Sequence, residues 1–405
     1  MKIGIVTTWF ERGAAYVSKQ YEQLLSENHE VFIYARGGEQ YAIGDPKWDR
    51  ENVWWGKRKI SPMSTYIDKK DFIKWLKKKN IELVIFNEQH WLEPVMICNK
   101  LNIKTVAYID YYTEETIPFF EIYDALFCNT KRHFSAFKWH PQVYYIPWGT
   151  NTEIFKPIKI KSTNKDKIVF FHSCGMNPRR KGTHLLLDAL ELLEEYYEQI
   201  EVIIHTQIDL KKFFPNRIDQ INKLINNKVL KIINKTVSSP GLYYMGDVYV
   251  YPSILEGIGL TVAEAVSCGL PVIVPNDAPM NEFIKDNING KLVEVDKFFA
   301  RADGYYWPQN NCNINSLKEK MIFYIQNRNE LTKYKKIARE YALNNLNWEN
   351  NKNLLVNIIC NIQYRKKNIK DLHKKLKFYY NKKIPGFMYF DFMYNFMYYI
   401  YKKVK

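Results

Sequence analysis

The chain is poor in cysteine, and no two of its cysteines stand in the spacing of a redox or metal-binding pair. Six cysteines are spread over 405 residues, without a CxxC motif. They lie at positions 98, 128, 174, 268, 312 and 360. This distribution argues against a cysteine-based metal site. It also fits a reducing cytosol, which is the expected environment.

Long hydrophobic runs are also missing. No stretch reaches the roughly 18 consecutive apolar residues that would indicate a transmembrane helix. Close to the N-terminus, Lys2 is followed only by the short run IGIV before Thr7, which fits a strand better than a secretory signal. We therefore expect a soluble or peripheral protein.

Acidic residues are scarce at the C-terminal end. The formal net charge is +16, and residues 364–405 hold twelve Lys or Arg against two Asp, so this segment carries most of the excess. The same segment is rich in aromatic residues, as in GFMYFDFMYNFMYYIYKKVK. We expect it to dock on an anionic membrane surface, although the aromatics could instead pack against the protein's own domains or a partner subunit.

The remaining chain alternates short apolar runs with longer helical patterns, which is typical of parallel α/β sheets. KIGIVTT, EVFIYAR, LVIFN, KTVAYID, ALFCNT and VYYIPWG are the predicted strands of one domain, and IVFFHSC, EVIIHT, VLKII, DVYVYPS and LPVIVP those of a second. Helices are expected at Ala15 to Asn28 and at Asp71 to Asn80. The polar segment Asn151 to Lys167 reads as a linker.

We therefore predict an α/β protein with two Rossmann-like doubly wound domains facing a central cleft, followed by a basic aromatic tail. The expected domains are 1–155, 156–345, a helix returning to the first domain at 346–363, and the tail at 364–405. The returning helix is indicated by the apolar spacing of Leu354, Leu355, Ile358 and Ile359.

The stretch YPSILEGIGLTVAEAVSCGLPVIVP places two glutamates, Glu256 and Glu264, around a glycine loop that leaves a strand and opens a helix. Gly257 and Gly259 allow a ligand to approach the backbone, and the helix N-terminus offers N–H groups to an anion. A sugar nucleotide would present hydroxyls to the carboxylates and its diphosphate to the amides. Alternatively, the glycines only shape a turn and Glu264 is a solvated helix residue.

A second loop, in FHSCGMNPRRKGTHLLLDALELL, carries three consecutive cations, Arg179, Arg180 and Lys181. It follows the first strand of the second domain, so its cations are expected on the same sheet edge as Glu256. A basic run of three is commonly a solvated loop. Together with the glycine loop it is typical of a diphosphate clamp.

These motifs resemble retaining family 4 glycosyltransferases of the GT-B fold, the glycosyltransferases group 1. The resemblance rests on DVYVYPS, EGIGLTVAEA, CGLPVIV, NEFIKDNINGKLV and the upstream RKG, and it covers about Met1 to Ile362. It implies that Glu256 contacts the donor sugar, Glu264 the ribose hydroxyls and Lys181 the diphosphate. Further donor contacts would come from Arg179, Arg180, Gly257, Ile258, Gly259 and Leu260. The polar stretch before Glu282 would lie near the same pocket.

The sequence departs from the family pattern at several positions. Met176 follows Gly175 where an arginine is common, and Arg179 or Arg180 would supply that charge. Asp110 stands approximately where the family often has a histidine against the donor sugar, and with Lys181 and Glu256 it completes our candidate catalytic set. Gly13, Arg12 and His90 are candidates for contacts with the acceptor or in the cleft, although a lone loop histidine is more often structural.

The resemblance implies transfer of a sugar, with retention, from a nucleoside-diphosphate sugar to an acceptor hydroxyl. UDP- or GDP-sugars are the expected donors, and glycans or lipid-linked glycans of surface polysaccharide, lipopolysaccharide or glycolipid synthesis the expected acceptors. No cofactor and no metal are expected, because cations and helix amides can neutralise the leaving diphosphate and no DxD triplet is visible. The expected location is cytoplasmic, at the inner face of the membrane.

Two other functions remain open at this point. One is a nucleic-acid-modifying glycosyltransferase, for which the positive charge would hold phosphates. We do not expect nucleic acid as a partner, because the charge is concentrated at one end beside aromatics. The other is a non-catalytic GT-B protein that only binds or scaffolds.

Overall fold

The computed structural model describes residues 1–36, 42–57, 64–158 and 167–385. Within these ranges the chain divides into two compact units. The first consists of Met1–Cys128, His133–Ile146 and the chain from Lys352 onward, and the second of Asn129–Arg132 and Pro147–Asn351. The predicted aromatic tail from Gly386 to Lys405, and the part of the predicted linker at 159–166, lie outside the described residues.

The first unit is built on a parallel sheet with the strand order β3-β2-β1-β4-β5-β6-β7. Its strands are β1 (Lys2–Thr7), β2 (Glu30–Ala35), β3 (Val53–Trp55), β4 (Leu83–Asn87), β5 (Lys104–Tyr108), β6 (Ala125–Cys128) and β7 (Val143–Tyr145). The helices among them in the described chain are α1 (Gly13–Leu25), α2 (Lys69–Lys79), α3 (Glu93–Lys100) and α4 (Lys131–Ala136), of which the first two residues of α4 belong to the second unit. The central strands β1, β4, β5 and β6 are almost wholly buried, mainly apolar runs, as expected for a parallel sheet covered on both faces, whereas the edge strands β3 and β7 are only partly buried.

The second unit repeats this plan with the strand order β10-β9-β8-β11-β12-β13. The strands are β8 (Ile168–Gly175), β9 (Ile200–Thr206), β10 (Leu230–Asn234), β11 (Val248–Val250), β12 (Val272–Pro275) and β13 (Gly290–Val293). The helices are α5 (Thr183–Glu191), α6 (Leu210–Phe213), α7 (Ile218–Asn226), α8 (Leu260–Ser267), α9 (Met280–Phe283), α10 (Ile314–Gln326) and α11 (Leu331–Asn345). Both sheets thus have the doubly wound order, in which ligands bind where the strand order reverses.

Smaller elements complete the described chain. An antiparallel hairpin of β14 (Val295–Phe299) and β15 (Gln309–Cys312) lies outside the parallel sheet of the second unit. Short 3₁₀ helices occur at Ile117–Ile122, Glu194–Gln199, Pro215–Arg217, Tyr243–Met245, Arg328–Glu330 and Trp348–Asn351.

The division between the units differs from the sequence expectation. The second unit takes up the chain at Pro147, before the expected boundary at 155. The first part of the predicted linker packs on this unit, because the Arg339 guanidinium donates to the carbonyls of Thr152 and Phe155, each at 3.0 Å. Sequence polarity does not distinguish a segment held by such backbone hydrogen bonds from a free linker.

The chain returns to the first unit through two C-terminal helices, α12 (Lys352–Asn361) and α13 (Ile369–Lys383). Helix α12 buries Leu355, Ile358 and Ile359 and packs against α1. Helix α13 buries Leu372, Leu376 and Tyr380 and packs against α3 and the 3₁₀ helix at 117–122.

Helix α13 falls in the segment that the sequence assigns to a membrane-docking tail. Its apolar side is already covered by the first unit, so for this part of the tail the protein itself is the packing partner of the apolar residues. Among the described residues, no helix combines the length and the apolar character needed to cross a bilayer.

Candidate functional site

The second sheet changes strand order between β8 and β11, and the loops that leave the carboxyl ends of these two strands carry the predicted donor residues. The loop after β8 holds Arg179 to Gly182 and leads into α5. The loop after β11 holds Ser253 to Gly259 and leads into α8. Because β8 and β11 are paired neighbours, the two loops meet at one edge of the sheet.

Gly182 allows the two loops to touch. Its φ is +69°, and a Cβ at this position would lie 1.8 Å from the backbone oxygen of Pro252. Any side chain here would force the loops apart, which gives a physical reason for a glycine directly after Lys181. The contact is reinforced by the Ile254 N–H, which donates to the Arg180 carbonyl at 2.9 Å.

Lys181 and Glu256 form an ion pair at this meeting point. The Lys181 ammonium donates to Glu256 Oε1 at 2.5 Å, and the Glu256 residue is only 6% exposed. The same oxygen accepts from the Ser253 hydroxyl at 2.6 Å and the Tyr251 hydroxyl at 2.9 Å. The second oxygen, Oε2, faces the Arg180 guanidinium at 3.9 Å. One carboxylate oxygen is thus fully committed, while the other lies beside a second cation.

The electrostatics keep this pair ionised. Burial alone would raise the pKa of Glu256, but the charges of Lys181 and Arg180 and the hydrogen bonds from Lys181 and Ser253 bring it down to about 2. Burial lowers the pKa of Lys181, and the Glu256 carboxylate opposes that shift. Two cations therefore stand around one carboxylate, which leaves an excess of positive charge at the strand ends.

The other predicted donor residues take different positions. The Arg179 guanidinium lies 5.8 Å from the centre of the Phe214 ring, so of the two arginines it is Arg180 that faces Glu256. Ile258 is buried, and Gly259, with φ of +85°, precedes the first helical residue of α8, Leu260. A Cβ on Gly257 would meet no atom within 4 Å, so this side of the loop is open.

Glu264 lies on α8 and has a hydrogen-bond partner outside the Lys181–Glu256 ion pair. Its Oε2 accepts from the Tyr243 hydroxyl at 2.6 Å. Burial raises the pKa of Glu264 to about 7, and the Tyr243 hydrogen bond and the charge of Lys181 only partly offset this. This carboxyl therefore holds its proton to a much higher pH than an ordinary glutamate does.

The polar stretch after β12 is tied to the same loop through the hairpin. Asn310 of β15 donates from its backbone N–H to the Ile254 carbonyl at 2.9 Å, and from its amide to the Ser253 carbonyl at 3.4 Å. Its amide also donates to Asp277 at 3.0 Å. Glu282 accepts from the backbone N–H of Lys131 and of Arg132, so this carboxylate is a hydrogen-bond acceptor for backbone amides.

In the first unit, Asp110 and Glu88 come together at the carboxyl edge of the sheet. Asp110 follows β5 and Glu88 follows the neighbouring strand β4. Burial raises the pKa of Asp110 well above its usual value, and the nearby Glu88 carboxylate raises it further, against the charge of Arg36. Glu88 has a left-handed backbone with φ of 51°, a strained conformation that clusters at functional sites.

Arg12, Gly13 and His90 lie at this edge as well. Arg12 lies 3.7 Å from Glu88 Oε2, and Gly13 begins α1. The His90 ring lies 3.3 Å from the Ser64 hydroxyl. Burial, together with the charges of Arg36 and Arg12, lowers the pKa of His90 to about 4, so this ring is neutral at physiological pH.

Several residues at these two edges are not among the sequence candidates: Arg36 and Glu88 in the first unit, and Tyr243, Tyr251 and Ser253 in the second. Four of the five lie on or directly after predicted strands, so the carboxyl end of a strand was the available signal. Tyr243 has no such signal, because only the folded chain brings it to Glu264. Within the described ranges, no cluster of three or more His, Cys, Asp or Glu residues is arranged to hold a metal ion.

The chain matches the family model of the glycosyl transferases group 1 over residues 154–341. It is 40% identical over 167 residues to the UDP-Gal:alpha-D-GlcNAc-diphosphoundecaprenol alpha-1,3-galactosyltransferase of Escherichia coli, covering 38% of this chain and 42% of that protein. The chain spans about half or less of the length of the curated relatives it matches.

Solved structures resemble the chain over most of its length. A glycosyltransferase from Rickettsia africae superposes with a TM-score of 0.69 at 17% identity, covering 92% of this chain and 98% of the other. Anabaena HepE in complex with UDP and glucose gives a TM-score of 0.66 at 15% identity, covering 89% and 100%. At these identities the likeness establishes the fold, which is GT-B as the sequence predicts.

The motif loops around Lys181, Glu256 and Glu264 all lie inside the matched range. The two donor loops therefore lie in the part of the chain that matches the glycosyl transferases group 1 model, within a chain of GT-B fold.

Proposed function

We propose that this protein transfers a sugar from a nucleoside-diphosphate sugar to a hydroxyl group of a glycan or lipid-linked glycan. The observation that carries the proposal is the buried Lys181–Glu256 pair with Arg180 beside it, at the point where the second sheet reverses its strand order. An excess of cations at a doubly wound switch point suits a diphosphate, and a buried carboxylate beside it suits sugar hydroxyls.

The residues have distinct roles in this proposal. Lys181, Arg180 and the backbone N–H groups at the start of α8 neutralise the charge that develops on the leaving diphosphate, which lowers the barrier most. Glu256 accepts a hydrogen bond from the donor sugar through Oε2, because Oε1 already has three donors. Glu264 binds the ribose hydroxyls.

We propose further that transfer proceeds with retention and without a metal ion. The bond between the anomeric carbon and the phosphate oxygen breaks, and a bond to the acceptor oxygen forms on the same face. The acceptor proton passes to the leaving phosphate. Protein cations carry the compensating charge, and Asp110 contacts the donor sugar.

The relatives support the choice of substrate class. HepE was solved with UDP and glucose, and the E. coli relative is named for a UDP-galactose donor and a diphosphoundecaprenol-linked acceptor. By analogy we propose a UDP-sugar ahead of a GDP-sugar, and an acceptor in surface polysaccharide, lipopolysaccharide or glycolipid synthesis. A lipid-linked acceptor implies a site of action at the cytoplasmic face of a membrane.

A panel of nucleotide sugars tests the proposal by thermal stabilisation. A donor present at 100 times its dissociation constant adds about 2.7 kcal/mol to the free energy of unfolding. We expect a clear rise in melting temperature for one UDP- or GDP-sugar, lost in Lys181→Ala and kept in the matched control Lys212→Ala. No stabilisation by any nucleotide or nucleotide sugar would contradict the donor site.

Turnover separates the enzyme from a protein that only binds. With the stabilising donor and lipid-linked glycan acceptors, release of the nucleoside diphosphate must depend on acceptor. Donor binding without transfer to any acceptor would favour a non-catalytic GT-B protein.

A further inference from the structure

Helix α13 presents a row of lysines outside its packed face. Lys370, Lys374 and Lys377 are spaced by four and three positions, so they lie on one side of the helix. We call these three residues the lysine face. All three are exposed, whereas Leu372, Leu376 and Tyr380 of the packed face are buried against the first unit.

The charges of the lysine face are not neutralised within the described chain. None of its three ammonium groups forms an ion pair with another described residue, while other lysines of α13 do. Lys375 pairs with Asp371 at 2.7 Å, and Lys382 and Lys383 pair with Glu115 at 2.9 and 3.1 Å. The lysines of α13 without an ion-pair partner among the described residues therefore include all three members of the lysine face.

An exposed aromatic residue adjoins these lysines. Phe378 follows Lys377 directly and is 74% exposed. The exposed Phe378 ring leaves apolar surface in contact with water, which is unfavourable. The boundary between lipid headgroups and acyl chains accommodates both an aromatic ring and lysine side chains.

A second basic helix lies nearby. Helix α2 has six lysines and one aspartate, and α3 packs against both α2 and α13. The first unit thus carries two lysine-rich helices, α2 and α13, on either side of their common neighbour α3 in the contact order.

Helix α13 is also bonded to the loops that carry the candidate acceptor residues. The Tyr380 hydroxyl accepts from the Leu92 N–H at 2.9 Å and donates to the His90 carbonyl at 3.3 Å. The Tyr379 ring lies 5.3 Å from Phe119, in the segment after β5. If α13 were bound to a surface, the sheet edge with His90 and Asp110 would therefore be held at a fixed distance from that surface.

We propose that the lysine face and Phe378 dock the protein on an anionic lipid bilayer. This rests on the proposed function, because a lipid-linked acceptor reaches the enzyme only from such a surface. The apolar side of α13 stays packed on the protein, so docking is mainly electrostatic with one aromatic anchor, and the helix does not roll into the headgroup layer on its apolar side.

The test uses full-length protein with point substitutions, since α13 is packed and its deletion would expose apolar surface. The probe is vesicles of phosphatidylcholine and phosphatidylglycerol at a ratio of roughly 7 to 3, followed by sedimentation. Each lysine near an anionic surface contributes about a fivefold factor in binding. We expect Lys370→Glu/Lys374→Glu/Lys377→Glu to weaken vesicle binding at least about tenfold, and Phe378→Ala to weaken it less.

The matched control reverses three exposed lysines of the second unit, Lys212, Lys228 and Lys231, and is expected to sediment like the unchanged protein. Thermal unfolding of both triple variants shows whether they are folded. The assay contains no donor and no acceptor, so its outcome is independent of transferase activity.

Equal vesicle binding by the two triple variants would overturn the proposal. So would retention of duplex DNA that is lost only in the α13 variant while vesicle binding stays unchanged, because the face would then serve a nucleic acid. Loss of vesicle binding without loss of turnover on a water-soluble acceptor supports docking as we describe it.

Discussion

Lys181 and Glu256 depend on each other for their charged states. We predict that Lys181→Met lowers turnover at least about tenfold, because one charge-assisted contact to the leaving diphosphate, worth roughly 1.5 to 3 kcal/mol, is lost. It should also lower the free energy of unfolding by about 3 kcal/mol, since the Glu256 carboxylate stays buried without its partner.

A double substitution separates these two effects. Lys181→Met/Glu256→Gln should recover much of the stability in urea unfolding, because no uncompensated charge remains, while turnover stays low. Arg179→Met is the matched control, since its guanidinium lies over Phe214. Full activity of Lys181→Met at saturating donor would contradict the diphosphate role.

Glu264 predicts a pH dependence. Its pKa in the folded protein is about 7, above the ordinary carboxyl value, so the protonated form favours folding. That stabilisation is complete at acidic pH below the ordinary carboxyl pKa and is lost as the pH rises through about 7. Glu264→Gln should therefore unfold with less pH dependence between pH 5 and 8, measured by thermal melting.

Donor affinity should change in the opposite sense. The ionised carboxylate accepts ribose hydroxyls more strongly, so the Michaelis constant for the donor should fall as the pH rises through about 7. Glu264→Ala should mainly raise that constant, with a smaller effect on turnover. An unchanged Michaelis constant in Glu264→Ala would refute the ribose assignment.

At this scale the sequence indicates the donor residues better than their partners. Gly182 is recognisable in RKG, and the structure supplies the reason, the close approach to Pro252. Glu88 is not recognisable, because its position beside Asp110 depends on the pairing of β4 and β5 and on a left-handed backbone. Adjacency across strands is not encoded in local periodicity.

Among the elements, the β14–β15 hairpin supports the loop that carries Glu256. We predict that Asn310→Ala lowers the free energy of unfolding by about 1 kcal/mol or more and reduces kcat/KM, since the amide no longer holds Ser253 and Asp277. Asn311→Ala, one residue along the same strand, is the control for a general loss of strand stability. Equal effects of the two substitutions in urea unfolding and steady-state kinetics would contradict a specific support.

The elements also show where sequence patterns lose information. The predicted helix at 71–80 is observed at Lys69–Lys79, because its apolar period is long and regular. Strands β3, β13, β14 and β15 are missing from the prediction: β3 because three residues give too little alternation, β15 because QNNC has no apolar pattern, and β13 and β14 because each is a short run of four or five residues. The apolar side of α13 is visible in the sequence, yet periodicity does not say whether lipid or protein covers it.

For the whole molecule, the C-terminal helices are part of the first unit. We predict that a chain ending at Asn345 fails to fold stably, because it loses the buried face of α12 and the contacts of α13. It also loses Lys367, whose ammonium pairs with the fully buried Asp124 at 2.7 Å. Limited proteolysis and thermal melting measure this, and a well-behaved, active truncated protein would refute it.

The discontinuous first unit has a consequence for synthesis on the ribosome. Its seven strands are made first, but α12 and α13 follow roughly 200 residues later, after the whole second unit. At bacterial or eukaryotic elongation rates this delay lasts on the order of ten seconds or more. Apart from a short segment, the second unit is continuous in the chain from Pro147 to Asn351. It can therefore fold before α12 and α13 of the first unit have been synthesised. The unit whose synthesis begins first is thus the last to have all of its elements available for folding.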